Sequence, residues 1–96
     1  MKKTDLQDRY SLFIDGEWKE ASDGGTFESL CPANGERLAT CAEATREDVD
    51  AAVKAATTAW ASWKNTDAAE RADLLMKIAD IIDANKEHLA LVETLD

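Results

Sequence analysis

The sequence predicts an α+β chain in which two β-hairpin-like units are followed by two or three amphipathic helices. Short β-prone runs separated by turn residues fill positions 11–44. From residue 47 onward, apolar residues recur at three- and four-residue steps, which is the spacing of one helix face. The change of period near residue 45 therefore separates a strand region from a helix region.

The first hairpin is predicted from Asp15-Gly16, which lies between the runs Leu12–Ile14 and Glu17–Lys19. An Asp-Gly pair favours a two-residue hairpin turn because both turn positions need a positive φ. Residues 1–10 are polar and carry no such pattern, so they are expected to form a flexible lead-in.

The second hairpin is predicted from the strands Thr26–Cys31 and Arg37–Ala44, with the loop 22–25 before them. The turn between them, 32–36, contains Pro, which fixes φ, and Asn-Gly, which tolerates left-handed backbone. The second strand has a weaker signal because it is rich in alanine.

Two helix starts and one interruption are predicted in the second half of the chain. Thr45 is followed three residues later by Asp48, a pattern that resembles a capping box, and Asp67 with Glu70 repeats it. Asn85 is expected to end or kink the second helix because Asn accepts the left-handed conformation of a helix cap.

The helix faces differ in width. The first has a narrow, alanine-rich apolar face, whereas the second has a wide stripe that indicates burial against more than one neighbour. The apolar positions are Val49, Ala52, Val53, Ala56, Ala59, Trp60 and Trp63 in the first helix, and Leu74, Leu75, Ile78, Ala79, Ile81, Ile82, Leu89, Leu91, Val92 and Leu95 beyond it.

Composition excludes several classes of protein. The formal net charge of −9 and the lack of a basic stripe argue against nucleic acid and anionic membrane surfaces as partners. No apolar run is long enough to span a membrane, and no secretory signal follows the first lysines, so a cytoplasmic location is expected. Cys31 and Cys41 are too few for a disulfide scaffold.

No catalytic constellation is visible in these residues. His88 has no metal-ligand companions, Cys31 and Cys41 have no nearby base in sequence, and the glycines belong to turns rather than to a phosphate-binding loop. The carboxylates at the first helix start are expected to be structural: Glu43, Glu47, Asp48 and Asp50. The tryptophans are expected to pack in a core or an interface: Trp18, Trp60 and Trp63.

The order of five segments resembles the amino-terminal portion of the NAD(P)-dependent aldehyde dehydrogenase superfamily. Members of that family commonly contain F-I-[DN]-G-x-W, N-P-A-[NT]-G-E, D-V-D-x-A-V-x-A-A, E-R-A-x-L-L-x-K-[IL]-A-D and L-x-x-[LV]-E-[TS]-L-D. This chain has FIDGEW, CPANGE, DVDAAVKAA, ERADLLMKIAD and LALVETLD in the same order, from about Leu12 to Asp96. It departs from the pattern at Cys31, where the family usually has Asn.

The resemblance implies that residues 11–96 are the amino-terminal part of a cofactor-binding domain, truncated relative to the family. The α+β chain would then be a fragment of an α/β fold, and its helices would pack on a Rossmann-like sheet. The family oxidises an aldehyde to a carboxylic acid through a cysteine thiohemiacetal, with NAD or NADP as cofactor. Its catalytic and nucleotide-binding residues lie beyond the position that matches Asp96, so this chain alone is expected to be inactive and to hold no cofactor.

The resemblance also implies one metal position and a set of partners. Some members bind a monovalent cation through oxygens at the positions that match Ser29 and Asp96, although two positions cannot complete a shell. The expected partner is the rest of an aldehyde dehydrogenase polypeptide or another copy of this chain, in a homo-oligomer. The alternative hypothesis, from the wide apolar stripe, is a non-catalytic, self-associating helical module.

Overall fold

A computed structural model of the chain describes residues 6–96, and five strands and three helices lie within that range. The strands are β1 (Arg9–Tyr10), β2 (Leu12–Ile14), β3 (Glu17–Lys19), β4 (Thr26–Leu30) and β5 (Arg37–Ala42); the helices are α1 (Arg46–Trp63), α2 (Ala68–Ala84) and α3 (Lys86–Leu95). The predicted α+β class, with strands before helices, is confirmed.

Strands β2 and β3 form a separate antiparallel hairpin, as the Asp-Gly pair predicts. Asp15 has a φ of 54° and Gly16 a φ of 75°, so both turn residues adopt the left-handed conformation that a type I′ turn requires. Phe13 and Trp18 face each other across the hairpin with ring centroids 4.7 Å apart. Trp18 is nevertheless 71% exposed, so its packing is limited to this pair rather than to a core.

The other three strands form one sheet in the order β1-β5-β4. Strands β4 and β5 are the predicted second hairpin, and their register shifts between Ser29 and Leu30. Strand β1 lies parallel to β5, with Arg9 opposite Thr40 and Tyr10 opposite Cys41.

The expected lead-in over residues 1–10 is therefore wrong at Arg9 and Tyr10, while residues 1–5 lie outside the described part. The sequence pattern missed this strand because two residues are too few to show a periodicity. The strand forms by pairing with β5, about thirty positions away along the chain. The Arg9 guanidinium also forms an ion pair with Glu20, at the far end of the first hairpin, which ties the two sheets together.

The second hairpin is shorter than predicted at both ends. Cys31 belongs to the turn, where its amide donates to the Glu36 carbonyl at 2.8 Å and its carbonyl accepts from the Gly35 amide at 2.7 Å. Gly35 takes the left-handed conformation, at a φ of 74°, and the Asn34 side chain accepts from the Glu36 amide at 3.0 Å. The turn residues thus end β4 one position earlier than predicted, whereas β5 begins at Arg37 as predicted and ends two positions early at its far end, at Ala42.

The helix boundaries follow the predicted signals, with two differences in the caps. Thr45 and Asp48 form the capping box of α1, but Asp67 at the start of α2 makes no side-chain capping hydrogen bond. Asn85 separates α2 from α3 at φ −113° and ψ 16°, so the prediction of a left-handed conformation at this residue is wrong. Its side-chain amide donates instead to the Ile81 carbonyl at 2.8 Å, which lets the chain kink and continue.

The core is small and belongs to the sheet region. The buried apolar residues are Ile14, Ala21, Cys31, Leu38, Ala39 and Leu91. Helix α3 contributes Leu91, whereas α2 contributes no buried residue. Among the described residues, no helix is both long enough and apolar enough to cross a membrane.

Candidate functional site

Ser29 and Asp96, the two residues that the family resemblance brings forward, are in direct contact. Ser29 lies near the end of β4, Asp96 follows α3, and the Ser29 hydroxyl donates to Asp96 Oδ1 at 2.8 Å. This hydrogen bond joins positions 67 residues apart and connects the sheet to the last helix.

A shallow cavity of about 240 Å³ lies beside this contact, between the sheet and α3. Apolar side chains dominate its wall. Its lining residues are Leu6, Tyr10, Ser29, Leu38, Ala39, Cys41, Val92 and Asp96. Sequence patterns did not identify this site, because its walls come from β1, β4, β5 and α3, which only long-range pairing brings together.

The pair of oxygens does not by itself fit a metal ion. A hard cation takes about six or more oxygen ligands, and the side chains of Ser29 and Asp96 offer three oxygen atoms, two of which already share a hydrogen bond. No group of three or more His, Cys, Asp or Glu residues in residues 6–96 has metal-binding geometry. Cation binding at this position stays a prediction, and the contact acts here as a structural link.

Asp48 is the one buried carboxylate within the described residues, and it holds a loop to a helix start. Its Oδ2 accepts from the Thr45 amide at 2.9 Å and from the Ser22 amide at 3.0 Å. The Ser22 and Thr45 hydroxyls lie 2.7 Å apart and complete the contact. The predicted structural role of Asp48 at the helix start is confirmed, and its contact with Ser22 adds a tertiary link that local spacing cannot show.

These hydrogen bonds lower the pKa of Asp48 below its ordinary value of 3.8. The Thr45 amide is the largest cause and the Ser22 amide the second, because both donate to the charged form. Burial acts in the opposite direction but does not cancel them. A carboxyl held ionised in this way is a poor general acid or base near neutral pH, which supports a structural role.

The remaining reactive side chains are not assembled into a catalytic centre. Cys31 is buried in a turn, and Cys41 is half-buried on the cavity wall, and both are free thiols. Neither forms a hydrogen bond with a base among residues 6–96, and His88 is an exposed residue of α3. Within the part of the chain that the structure describes, neither thiol is therefore paired with a base that could activate it.

The described residues also lack the features of a nucleotide cradle. Gly16, Gly24 and Gly35 adopt left-handed conformations in turns, and none precedes a helix as a phosphate-binding loop requires. At the start of α1, the Thr45 amide already donates to the Asp48 carboxylate and the Asp48 amide to the Thr45 hydroxyl. The glycine turns and the α1 start of residues 6–96 therefore do not fit the phosphates of a nicotinamide cofactor.

Exposed apolar surface is the most prominent feature of the helices. On α2, Leu75, Ile78, Ile81 and Ile82 are each more than half exposed. On α1, Trp60 is 56% exposed, so the tryptophans predicted as core or interface anchors do not lie in the core of this chain. Such surface is usually covered by another polypeptide.

The chain is similar to aldehyde dehydrogenases over nearly its whole length. A family model described as "Aldehyde dehydrogenase family" matches residues 18–96. The mitochondrial aldehyde dehydrogenase of Mesocricetus auratus is 42% identical over 88 residues, which cover 88% of this chain and 18% of that protein. "Aldehyde dehydrogenase family 2 member C4" of Arabidopsis thaliana is 46% identical over 87 residues, covering 88% of this chain and 17% of that protein.

Solved structures give the same result for the fold. The NAD⁺ complex of aldehyde dehydrogenase from Bacillus cereus superposes with a TM-score of 0.91 at 45% sequence identity. The match covers 98% of this chain and 20% of that one. The chain thus spans about a fifth of the length of the relatives it matches, and it has the fold of their amino-terminal part.

Proposed function

Because this chain belongs to the aldehyde dehydrogenase family, we propose that it supplies the amino-terminal structural segment of an NAD(P)-dependent enzyme that oxidises aldehydes to carboxylic acids. In this role it builds the outer helices and hairpins of a larger fold and contributes no catalytic residue. The match to about a fifth of each relative's length supports a part rather than a whole enzyme.

The observation that carries this proposal is the state of α2. A 17-residue helix with a wide apolar stripe and no buried residue needs a second surface to cover that stripe. The sheet of residues 6–96 does not cover it, since α2 packs mainly against the neighbouring α3. A nucleotide-binding sheet of the family enzyme is the cover that the resemblance implies.

In the complete enzyme, the oxidation of an aldehyde to a carboxylic acid would depend on a cysteine nucleophile that this chain does not supply, and NAD or NADP would provide the hydride acceptor. The residues of this chain act at a distance from that oxidation. Ser29 and Asp96 fix the end of α3 against β4, and Asp48 fixes the loop at Ser22 against α1.

The family position for a monovalent cation belongs to the same proposal. Ser29 and Asp96 would provide part of a shell, and other oxygens would have to come from outside residues 6–96. The choice between NAD and NADP and the cytoplasmic location also stay predictions. The relative from Mesocricetus auratus is named as mitochondrial, so its name does not support a cytoplasmic location for this chain.

A direct assay tests the catalytic part of the proposal. The purified chain is incubated with NAD, NADP and a panel of aliphatic and aromatic aldehydes while reduced nicotinamide is followed by its absorbance. We expect no reduction above a blank without protein. Reproducible, aldehyde-dependent reduction that scales with the concentration of the chain would contradict the proposed structural role.

Complementation tests the structural part. The portion of the Bacillus cereus enzyme that follows its matched fifth is co-expressed with this chain, and aldehyde-dependent NAD reduction is compared with that of each part alone. We expect activity only from the pair. Ile78→Glu, which places a charge in the α2 stripe, should reduce the restored activity at least tenfold.

Met76→Glu is the matched control for that variant. It adds the same charge on the same helix at a residue of similar exposure, 64% against 53% for Ile78, but on the opposite side. We expect Met76→Glu to retain most of the restored activity. If the unmodified pair is inactive although both parts are soluble, the proposal that this chain supplies the missing segment fails.

A further inference from the structure

Residues 6–10, the strap, lie along one edge of the three-stranded sheet and contribute to the wall of the cavity. The strap pairs with β5 through β1, which is two residues long and parallel, with Arg9 opposite Thr40 and Tyr10 opposite Cys41. A parallel ladder is slightly less stable per residue than an antiparallel one. Strands β4 and β5, by contrast, are antiparallel and pair at five positions. The ladder by itself therefore holds the strap more weakly than β4 and β5 hold each other.

The inner side of the strap borders the cavity of about 240 Å³ rather than a packed core. Leu6 and Tyr10 line that cavity, and both are half-buried. Side chains beside a cavity have fewer atoms in contact with them, so moving them away costs less than removing a packed side chain. Cys41 lines the same cavity from β5 and is the residue opposite Tyr10 in the ladder. Displacement of the strap would therefore uncover the Cys41 side chain.

One arginine fastens the strap from the other face of the sheet. Arg37 Nη1 donates to Asp8 Oδ1 at 3.0 Å, and Nη2 donates to the Asp8 carbonyl at 3.1 Å. The same guanidinium donates to the Thr40 hydroxyl at 2.6 Å and forms an ion pair with Glu28 at 3.4 Å. Thr40 precedes Cys41 in β5, so its side chain points away from the cavity. A single side chain thus connects the strap to both β5 and β4.

A second ion pair holds the carboxyl end of the strap, between Arg9 and Glu20. The Asp8 and Glu20 side chains are 87% and 51% exposed. Exposed ion pairs contribute little free energy, and salt screens them. Both attachments can therefore be released under conditions in which the hydrogen bonds between β4 and β5 persist.

We propose that the strap opens and closes as a unit while β4 and β5 stay paired, and that Arg37 is the residue that holds it closed. Opening exposes the cavity and the Cys41 thiol to solvent. Local transitions of this kind occur where few buried contacts oppose them, and the short ladder above a cavity meets that condition. The opening involves the sheet region and does not depend on the proposed function, which rests on α2.

Alkylation of the full chain by iodoacetamide tests the opening, because a cysteine thiolate displaces iodide only when the reagent reaches it. The reagent is uncharged, so salt acts on the protein and not on the approach of the reagent. Cys31 is the internal reference, since it is 7% exposed and lies in the turn between β4 and β5. Trypsin cleaves after Arg37, so mass spectrometry measures the two cysteines in separate peptides.

Asp8→Lys, which places a second positive charge beside Arg37, should raise the alkylation rate of Cys41 relative to Cys31 by about fivefold. Asp83→Lys is the matched control: it makes the same change of charge at an exposed position of α2, and it should leave the ratio of rates nearly unchanged. Far-UV circular dichroism checks that both variants keep the secondary structure of the parent chain.

The parent chain provides a second measurement that needs no variant. Raising the salt concentration from about 50 to about 500 mM should raise the same ratio by about twofold, because it screens both ion pairs of the strap. In Asp8→Lys the added salt should no longer raise the ratio, because there it also screens the repulsion between Lys and Arg37.

Three outcomes would overturn the proposal. A ratio that changes neither with salt nor in Asp8→Lys would show that Arg37 does not hold the strap closed. Faster alkylation of both cysteines to the same extent would show that β4 and β5 separate together with the strap. An equal rise in Asp83→Lys would assign the effect to net charge rather than to the contact between Asp8 and Arg37.

Discussion

The sheet region and helix α2 show how differently two parts of one short chain satisfy their apolar side chains. The three-stranded sheet buries Leu38 and Ala39 and is connected to α3 through Leu91 and the Ser29–Asp96 hydrogen bond. Helix α2 has more large apolar residues than the sheet but buries none of them. The comparison teaches that an apolar stripe establishes a helix, whereas burial depends on having a neighbour to cover it.

The largest difference between the two regions is expected when one buried leucine of the core and one exposed leucine of the α2 stripe are each truncated to alanine. Leu38 is 6% exposed, and Leu38→Ala should lower the free energy of unfolding by about 2–5 kcal/mol through lost contacts and a cavity. Leu75 is 66% exposed, and Leu75→Ala should change it by less than about 0.5 kcal/mol in dilute solution. Urea denaturation followed by circular dichroism measures both.

Leu38→Met is the control for that experiment, because it keeps the volume of the side chain and should cost less than about 1.5 kcal/mol. If Leu75→Ala is as destabilising as Leu38→Ala in dilute solution, α2 is packed in the monomer and the contrast between the two regions is wrong.

The two helix starts allow a finer comparison. Thr45→Ala removes the hydroxyl that accepts the capping hydrogen bond from the Asp48 amide and should lower the free energy of unfolding by about 1 kcal/mol. Asp67 occupies the same position in α2 without a side-chain capping bond, so Asp67→Ala should cost only a few tenths of a kcal/mol, from the lost charge near the helix start. Equal losses in thermal or urea denaturation would mean that Asp67 caps its helix in solution.

The smallest expected effect is the contribution of a single carboxyl to acid stability. The pKa of Asp48 is lowered in the folded chain, first by the Thr45 amide, so its contribution is present above the ordinary value of 3.8 and is lost as the pH falls through the lower folded value. Asp48→Asn should therefore flatten the fall of stability below about pH 4 relative to the parent chain. Urea midpoints measured from pH 6 to pH 2.5 report this difference.

The pKa of Glu20 is also lowered, mainly by its hydrogen bond from Arg9. Glu20 therefore contributes to acid stability in the same direction in the parent chain and in the Asp48→Asn variant. The comparison of the parent with Asp48→Asn therefore isolates Asp48. Parallel pH profiles for the two proteins would show that the carboxylate of Asp48 is not held ionised by the fold.

Local chemistry predicted most of the elements and their caps. The Asp15-Gly16 turn, the two antiparallel hairpins and the Thr45–Asp48 capping box each depend on residues a few positions apart, so neighbouring residue types were sufficient. The errors lie where a distant partner decides. Strand β1 forms through its pairing with β5, and Asn85 avoids the left-handed cap because α3 continues from it.

The candidate site was predictable only in part. The family resemblance identified Ser29 and Asp96, and the structure adds that they touch and that a cavity lies beside them. Tyr10, Cys41 and Val92 line that cavity with no shared sequence signal, because each comes from a different element. Likewise, nothing local connects Ser22 with Asp48, whose contact depends on how the loop returns to α1.

By itself, the sequence determined the order of the two hairpins and the helices, the Asp15-Gly16 turn, the capping box of α1 and the position of the apolar stripe, because these follow from residue type and spacing over one or two turns of chain. The tertiary structure decided which apolar residues are buried. Burial requires a second surface at contact distance, and for α2 that surface is absent from residues 6–96.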